Sequence, residues 1–409
     1  MTSTVATAAT VPLHGVRVLE LSSYVATPLC GLTLAQLGAD VVRIEAPGGA
    51  PDRTRLPTAT GGSSYYWTGL NKGKRAIAVD LSTAEGQEVV ADLAADADIV
   101  IANAPYKGLV TAEALRERNP QLVHVRLSGT WSGGSSVDYI AQAKVGFQQV
   151  TGPRGQSVPV NHVLPAWDIA AGLYLATGVL AALRQRDESG RGASITLALE
   201  DVALATAGNL GLLTQAQIDP VPRGSDGNHV YGTYGRDFAL ADDHRVMLVV
   251  LTARHWHTLL DITGLRAAIV GLEKALDIDL DDEQVRYAHR EVISALLEPW
   301  FARHDLAGLT EDFAGRRVLW SAYETFEQAA EHLSDNPLFA ELDQPGIGRH
   351  LAPGSPLIFD AQRPAPQPAP FVGEHTHEVL AERLGEDRYT TLLTSRVVDS
   401  ADNPLRETA

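Results

Sequence analysis

Two aspartates of this 409-residue chain stand where a carboxylate could take part in catalysis. Asp168 opens the apolar, Ala/Gly/Leu-rich stretch 168–185, and Trp167 and Ile169 flank it. A carboxylate that a tryptophan half desolvates is oriented and more reactive than one in water, which favours covalent catalysis. Aspartate is also common as a cap or in the first turn of a helix, and composition by itself favours that role for Asp168; for Asp138 the structural alternative is a helix cap.

Basic residues are concentrated in the stretch 43–75, although the whole chain carries a formal net charge of −17. They could hold phosphate groups through charge-assisted hydrogen bonds, or they could be surface residues with scattered ion pairs. Residue spacing alone leaves both interpretations open. The six residues are Arg43, Arg53, Arg55, Lys72, Lys74 and Arg75.

Other familiar chemistries lack their sequence signatures. The single cysteine, Cys30, allows no intramolecular disulfide, and no Cys or His spacing is typical of zinc, so we expect no metal. The G-x-S-x-G elbow of hydrolases and the P-loop motif are both missing from the sequence. His162 and His229 could act as acids or bases, but a lone histidine is more often structural.

The composition indicates a cytoplasmic enzyme. Hydrophobic residues make up 45% of the chain and charged residues 20%, which is ordinary for a globular protein. The negative net charge disfavours nucleic acid and anionic membranes as partners, because both require a basic surface. Residues 1–12 are predicted to be a disordered tail, and no window reaches the roughly 18 apolar residues of a membrane span.

Short apolar strands alternate with helices in the first half of the chain. Strands are predicted at 16–21, 40–45, 76–81, 98–102 and 122–127, with helices between them. Such alternation is typical of an α/β fold with a doubly wound parallel sheet. The first strand is not followed by the G-x-G-x-x-G fingerprint, so nothing points to NAD or FAD.

The domain organisation follows from changes in composition. A Pro/Gly/Asp-rich segment at 219–230 is predicted to be a linker, and the Pro/Gly-rich stretch from 336 onward is predicted to return to the first domain. The predicted parts are a tail at 1–12, a large α/β domain at 13–218, the linker at 219–230, a smaller α+β domain at 231–335, and a returning linker with C-terminal helices at 336–409.

Four segments, in order along the chain, resemble the family III CoA-transferases: Leu13–Leu21, Leu37–Gly49, Asn71–Asp80 and Gly373–Thr376. The resemblance implies a Rossmann-like CoA-binding large domain, a small domain and an interlocked homodimer. It also implies acyl-CoA and dicarboxylate substrates, with coenzyme A as a substrate moiety and no permanently bound cofactor.

The resemblance also assigns roles to individual residues. Asp168 takes the place of the family's nucleophile, which would form an aspartyl-CoA thioester. Lys74 and Asn103 match positions near bound CoA, and Asp138 matches an acidic position near the active site. The other candidates are Ser23, Tyr24, Val25 and Arg43 for CoA, and Tyr139, Arg236, His162 and Arg53 for the acyl group or its free carboxylate.

Segments 161–168, 234–238 and 344–348 resemble family members that move CoA between the two carboxylates of one dicarboxylic acid. Three alternatives stay open: CoA transfer from succinyl-CoA to an external dicarboxylate, racemisation of a 2-methylacyl-CoA, and CoA binding without turnover. The racemase branch of the family carries a histidine where this chain has Val137, which favours covalent transfer over proton transfer.

Overall fold

The computed structural model describes residues 11–220 and 223–402. Residues 1–10 of the predicted tail, 221–222 of the predicted linker and 403–409 at the C-terminus lie outside this description. The described chain forms two compact units. Unit 1 contains residues 11–145, 162–220 and 333–402, and unit 2 contains residues 146–161 and 223–332.

The strands of the two units are, in chain order, β1 Arg17–Leu21, β2 Asp40–Glu45, β3 Arg75–Val79, β4 Ile99–Ala102, β5 Val123–Ser128, β6 Ser194–Ala198, β7 Tyr234–Ala239, β8 Arg245–Val250, β9 Leu319–Ala322, β10 Phe339–Gln344, β11 Gly348–Pro353 and β12 Val398–Asp399. The α-helices are α1 Ala26–Gln36, α2 Tyr65–Asn71, α3 Ala84–Ala94, α4 Ala112–Arg118, α5 Asp138–Lys144, α6 Ala166–Ser189, α7 Leu199–Asn209, α8 Leu212–Ile218, α9 Ala253–Thr263, α10 Arg266–Leu276, α11 Glu283–Ala288, α12 Arg290–Phe301, α13 Leu306–Phe313, α14 Phe326–Glu331, α15 Thr376–Leu384 and α16 Glu386–Thr394.

Unit 1 is built around a seven-stranded sheet in the order β12-β3-β2-β1-β4-β5-β6. Strands β1 to β6 pair in parallel, and the edge strand β12 pairs antiparallel with β3. The predicted α/β fold with a mainly parallel sheet is therefore confirmed. The order of the strands reverses between β1 and β4, and ligands of such sheets bind at the carboxyl ends of the strands beside this switch point.

Both faces of the sheet are covered, which explains why its strands are continuous apolar runs. Successive residues of one strand point to opposite faces. In β1, Val18 belongs to the core that α1 and α6 cover, and Leu19 belongs to the core that α3, α15 and α16 cover. All four residues of β4 are buried. This is the doubly wound arrangement that the strand–helix alternation predicts.

The C-terminal segment packs on the same sheet. The backbone N–H of His375 donates to the carbonyl of Ala76 at 2.9 Å, and Thr376 Oγ1 accepts from the N–H of Ala78 at 3.0 Å. Before this contact, β10 and β11 form an antiparallel hairpin. The described part of the predicted returning segment thus belongs to unit 1.

Unit 2 is an α+β unit with its own core. Strands β7, β8 and β9 form an antiparallel sheet, and the helices of this unit cover it. Phe238 of β7 stacks on Phe301 of α12 with ring centroids 4.2 Å apart, and Trp256 is 1% exposed. A separate apolar core of this kind lets the unit fold as a domain.

Residues 146–161 depart from the predicted boundary, because they were placed in the large domain and belong to unit 2. The backbone N–H of Gly227 donates to the carbonyl of Gly152 at 3.0 Å, and Ser225 Oγ donates to the carbonyl of Pro153 at 2.7 Å. These bonds join segments about seventy residues apart. The stretch has no apolar periodicity, so its local sequence carries no signal of this pairing.

Helix α6 is long and apolar. By length and composition alone it could cross a membrane, contrary to the sequence-based expectation for the chain, and 44% of its apolar window is buried within the protein. Buried residues such as Leu175 and Val179 lie in the core beneath the sheet. Leu173, Tyr174 and Leu180 of the same helix are exposed. The helix therefore has one face in the core of unit 1 and another uncovered in the single chain.

Charged side chains are buried where β1 and β2 end. The guanidinium of Arg43 lies 3.2 Å from Glu20, 2.6 Å from Glu45 and 3.3 Å from Asp52. Lys74 Nζ pairs with Glu20 at 2.9 Å. Arg53 also pairs with Glu45, at 2.6 Å, so three cations balance three carboxylates.

Removing the central cation of this buried network is expected to destabilise unit 1. Arg43→Met leaves three carboxylates without their common partner, at a cost of about 3–5 kcal/mol in the free energy of unfolding. Urea unfolding of the purified wild type and Arg43→Met measures this loss in the free energy of unfolding.

Arg75→Met is the matched control. Arg75 pairs with Asp40 and Glu378 on the surface, where an ion pair contributes about 1 kcal/mol or less. Equal losses in the two variants would contradict the importance of the buried network.

Candidate active site

The loop that follows β1 lies beside the residue that follows β4. Asn103 Nδ2 donates to the carbonyl of Ser23 at 2.8 Å. The structure therefore brings these two predicted site residues together at the switch point of the sheet. Tyr24 and Val25 continue the loop, and α1 begins at Ala26.

Tyr24 has a left-handed backbone conformation, with a φ of +68°. This region is unfavourable for a bulky residue, and such strain persists only when the surroundings hold it. Here the Tyr24 N–H donates to Asp52 Oδ2 at 2.7 Å, and Arg43 holds Asp52 in turn. The buried ionic network thus determines the shape of the loop.

Asp168 lies in the first turn of α6, which begins at Ala166, and does not cap that helix. The cap comes from Asp138, whose Oδ2 accepts from the N–H of Trp167 at 2.7 Å and of Asp168 at 3.1 Å. The sequence-based alternative of a first-turn aspartate therefore holds for Asp168, whereas Asp138 is a helix cap but not of the helix that it begins. Asp138 stands at the start of α5 but caps α6 across 30 residues of sequence.

Asp138 is 2% exposed, and Gln142 Nε2 also donates to it, at 2.5 Å. Its carboxylate is engaged with protein groups on both oxygens. The structure therefore gives Asp138 a positioning role under Asp168, and its predicted contact with substrate rests on the resemblance alone.

A close helix contact directs Asp168 toward the loop after β1. Gly172 lies one turn after Asp168 on the same face of α6. A Cβ on Gly172 would come within 2.6 Å of the carbonyl oxygen of Ala26, so only glycine lets α6 approach the start of α1 this closely. Asp168, one turn earlier on this face, therefore lies on the side of α6 that packs against the start of α1.

Burial and, to a smaller extent, the negative charge of Asp138 raise the pKa of Asp168, Arg55 opposes both effects, and the resulting pKa is about 7. No described donor lies within hydrogen-bonding distance of its side-chain oxygens. A carboxylate with this pKa, no bound donor and partial burial is a stronger nucleophile than a solvated one.

Arg55 is the cation next to this carboxylate. It is exposed, and its guanidinium lies 4.9 Å from the ring centroid of Tyr66 and 5.8 Å from that of Tyr24. Burial raises the pKa of Tyr66 to about 12, and Asp168 contributes to that rise. In the sequence, Arg55 is only one of the six basic residues of 43–75, and no local pattern points to Tyr66.

The predicted CoA contacts Lys74 and Arg43 are buried. Lys74 Nζ donates to Glu20 at 3.0 Å, to the carbonyl of Pro28 at 2.9 Å and to Asn71 at 2.9 Å. Arg43 is 0% exposed. Both side chains have internal partners here, and their assignment to CoA stays a prediction.

The candidates for the acyl group lie in different places. Tyr139 donates its hydroxyl to the carbonyl of Val163 at 3.3 Å, and His162 Nδ1 lies 2.7 Å from the carbonyl of Leu164, so both support the segment before α6. Arg236 belongs to unit 2 and pairs with Glu298 at 2.9 Å.

Arg53 is engaged within unit 1. Its guanidinium stacks 3.7 Å from the ring centroid of Trp67 and pairs with Glu45. Val137, at the place of the racemase histidine, is 60% exposed and offers no titratable group.

Asp168→Asn is expected to stabilise the protein at high pH and not at low pH. Above pH 7 the wild-type carboxylate is ionised, poorly hydrated and close to Asp138, and a neutral amide removes that unfavourable charge. The gain is absent below the ordinary aspartate pKa of 3.8, only partial near pH 5, where the unfolded chain but not the folded protein ionises this residue, and full above pH 7. Thermal unfolding midpoints near pH 5 and pH 8.5 measure the difference.

Asp187→Asn serves as the control, because Asp187 is exposed near the other end of α6. A stabilisation of Asp168→Asn that is the same at both pH values would contradict the raised pKa.

Comparison with known proteins agrees with this geometry. The family model for CoA-transferase family III matches residues 13–376. The chain is 45% identical over 383 residues to the 2-methylfumaryl-CoA isomerase of Chloroflexus aurantiacus, covering 91% of this chain and 94% of that protein.

Two further matches are more distant. The succinyl-CoA:mesaconate CoA-transferase of Haloarcula hispanica is 29% identical over 391 residues, covering 90% of this chain and 96% of that protein. The crystal structure of a CAIB/BAIF family protein from Brucella suis matches with a TM-score of 0.75 at 27% identity, covering 91% of this chain and 99% of that chain. The resemblance found in four sequence segments is confirmed, and the chain belongs to CoA-transferase family III.

Proposed function

We propose that this enzyme moves CoA between the C1 and C4 carboxylates of mesaconyl-CoA (2-methylfumaryl-CoA), through a covalent intermediate on Asp168. The observation that carries the proposal is the placement of Asp168, a carboxylate with a raised pKa facing a switch-point loop. The 45% identity to a 2-methylfumaryl-CoA isomerase supports the choice of acyl group.

The reaction needs four nucleophilic substitutions and no external proton. The ionised Asp168 attacks the thioester carbonyl, the C–S bond breaks, and CoA leaves as thiolate from a mixed anhydride. The thiolate then attacks the aspartyl carbonyl, which gives an aspartyl-CoA thioester and frees the first substrate carboxylate. The far carboxylate of the same molecule attacks that thioester, the C–S bond breaks, and CoA leaves as thiolate from a second mixed anhydride. The thiolate then attacks the new acyl carbonyl, which forms the product thioester and releases the Asp168 carboxylate.

Each substitution passes through an oxyanion that backbone donors can stabilise. No side chain caps the start of α1, and Asp52 already accepts from the N–H of Tyr24. The candidate donors are therefore the backbone N–H groups of Val25, in the loop, and Ala26, at the start of α1. Both residues are buried. One aimed donor of this kind contributes about 2.7–4 kcal/mol to transition-state stabilisation.

A second candidate function is intermolecular transfer from succinyl-CoA to mesaconate. Similarity to a succinyl-CoA:mesaconate CoA-transferase favours it, although the identity there is 29%. Both functions use an aspartyl-CoA thioester on Asp168. They differ in whether the carboxylate that attacks this thioester belongs to the original acyl group or to a second acid that replaces it.

We also propose that the enzyme acts as a cytoplasmic homodimer whose chains interlock, with a second copy covering the exposed face of α6. Leu173, Tyr174 and Leu180 leave an apolar strip uncovered in the single chain, and such strips mark protein interfaces. A monomeric mass by light scattering at micromolar concentration would rule this assembly out.

Incubation with the C1 thioester of mesaconate alone is expected to give the C4 thioester, because the second carboxylate belongs to the same molecule. Chromatography of the two isomers follows the reaction. Turnover that requires added dicarboxylic acid would favour intermolecular transfer, and solvent deuterium at C2 of a 2-methylacyl-CoA would favour racemisation.

Asp168→Ala is expected to abolish transfer while the protein stays folded, since no other described carboxylate occupies its place. Hydroxylamine should label Asp168 of the wild type only when acyl-CoA is present, and peptide mass spectrometry identifies the residue. Asp187→Ala is the control on the same helix and should keep full activity. Normal turnover by Asp168→Ala would refute the covalent mechanism.

A further inference from the structure

Arg55 differs from the other arginines in the stretch 43–75 because no described carboxylate lies within ion-pairing distance of it. The other arginines and Lys74 pair with carboxylates, and Lys72 Nζ donates to the carbonyl of Pro353 at 3.1 Å. An exposed guanidinium keeps its five donors available to a ligand.

The guanidinium is nevertheless held in place. It lies over the ring of Tyr66 at 4.9 Å and near the ring of Tyr24 at 5.8 Å, and aromatic faces attract a cation without neutralising it. The backbone is fixed as well, because Ser64 Oγ donates to the Arg55 carbonyl at 2.5 Å and the Arg55 N–H donates to the backbone carbonyl of Asp52 at 3.1 Å. Arg55 is thus preorganised.

Arg55 lies close enough to Asp168, the proposed nucleophile, for its charge to act on that carboxylate. Tyr24 belongs to the loop that faces Asp168, and Tyr66 is close enough for the charge of Asp168 to act on it. The charge of Arg55 also acts on Asp168 itself. A substrate acyl group attached to Asp168 would therefore lie within the field of this cation.

The charge balance of the site calls for such a cation. Asp168 and Asp138 are both negative when the nucleophile is ionised, so a substrate carrying another carboxylate would be repelled. A guanidinium matches a carboxylate with two parallel hydrogen bonds, which no lysine or histidine can do.

We propose that Arg55 binds the free carboxylate of the dicarboxylic acyl group and makes the enzyme selective for dicarboxylic thioesters. The inference rests on the proposed function. In the isomerisation, Arg55 holds C4 while C1 reacts, and it holds C1 after the molecule has turned over. Arg53 and Arg236, the other arginines that the sequence offers for the free carboxylate, are paired with Glu45 and Glu298.

The test compares two thioesters that differ only at the far end. Tigloyl-CoA carries a methyl group where the C1 thioester of mesaconate carries its C4 carboxylate. Mass spectrometry of the intact protein gives the rate of aspartyl-CoA formation with each, near pH 9, where Asp168 is ionised. The proteins compared are wild type, Arg55→Gln, Arg55→Lys and the control Arg75→Gln, whose arginine pairs with Asp40 and Glu378.

Arg55→Gln should lose about 10- to 100-fold in rate with mesaconyl-CoA, the range of a charge-assisted hydrogen bond, and less than about threefold with tigloyl-CoA. Arg55→Lys should recover part of the loss, and Arg75→Gln should behave as wild type. Equal losses with both thioesters would overturn the proposal, because they would place Arg55 on CoA or in the fold.

Binding of free mesaconate and of tiglate, measured by calorimetry, separates this inference from the covalent mechanism. Weaker mesaconate binding by Arg55→Gln with unchanged tiglate binding supports the role of Arg55 even if wild type forms no aspartyl-CoA. Unchanged mesaconate binding and an unchanged mesaconyl-CoA rate in Arg55→Gln would refute it while leaving Asp168 as nucleophile.

Discussion

The buried guanidinium of Arg43 ties the carboxyl ends of β1 and β2 to the turn that follows them. It contacts Glu20, Glu45 and Asp52 at once, in a place that no solvent reaches. Ions in such a place are tolerated only when each has its partner, and Arg43 is the one cation that all three carboxylates share, beside Lys74 on Glu20 and Arg53 on Glu45. Asp52 in turn fixes the loop after β1, because it accepts from the N–H of Tyr24 and holds that residue in a left-handed conformation.

A second constraint acts from the opposite side of the site. The first N–H groups of α6, which would otherwise stabilise a negative charge on Asp168, donate to Asp138. Asp168 therefore keeps its place at the helix start without the stabilising donors that such a place offers. Its carboxylate is less stable as an anion, and this is the property that a nucleophile toward a thioester needs.

The six basic residues of the stretch 43–75 look alike in the sequence but differ in burial and in their ion-pair partners in the structure. Arg43 and Lys74 became internal partners of Glu20, and Arg75 pairs on the surface. Arg55 is left with two tyrosine rings. Net charge and spacing describe all six in the same way, whereas their distance from the nearest carboxylate decides which can meet a ligand.

The sequence by itself determined the strand–helix alternation of unit 1, because buried parallel strands are continuous apolar runs bounded by helices of characteristic period. It also determined the family, since four ordered segments carry a resemblance that the comparisons confirmed. Tertiary structure alone decided that Asp138 caps α6, that residues 146–161 belong to unit 2 and that Arg55 stands beside Asp168. Each of these depends on contacts between residues 30 or more positions apart, and local patterns of apolar and charged residues carry no record of such pairs.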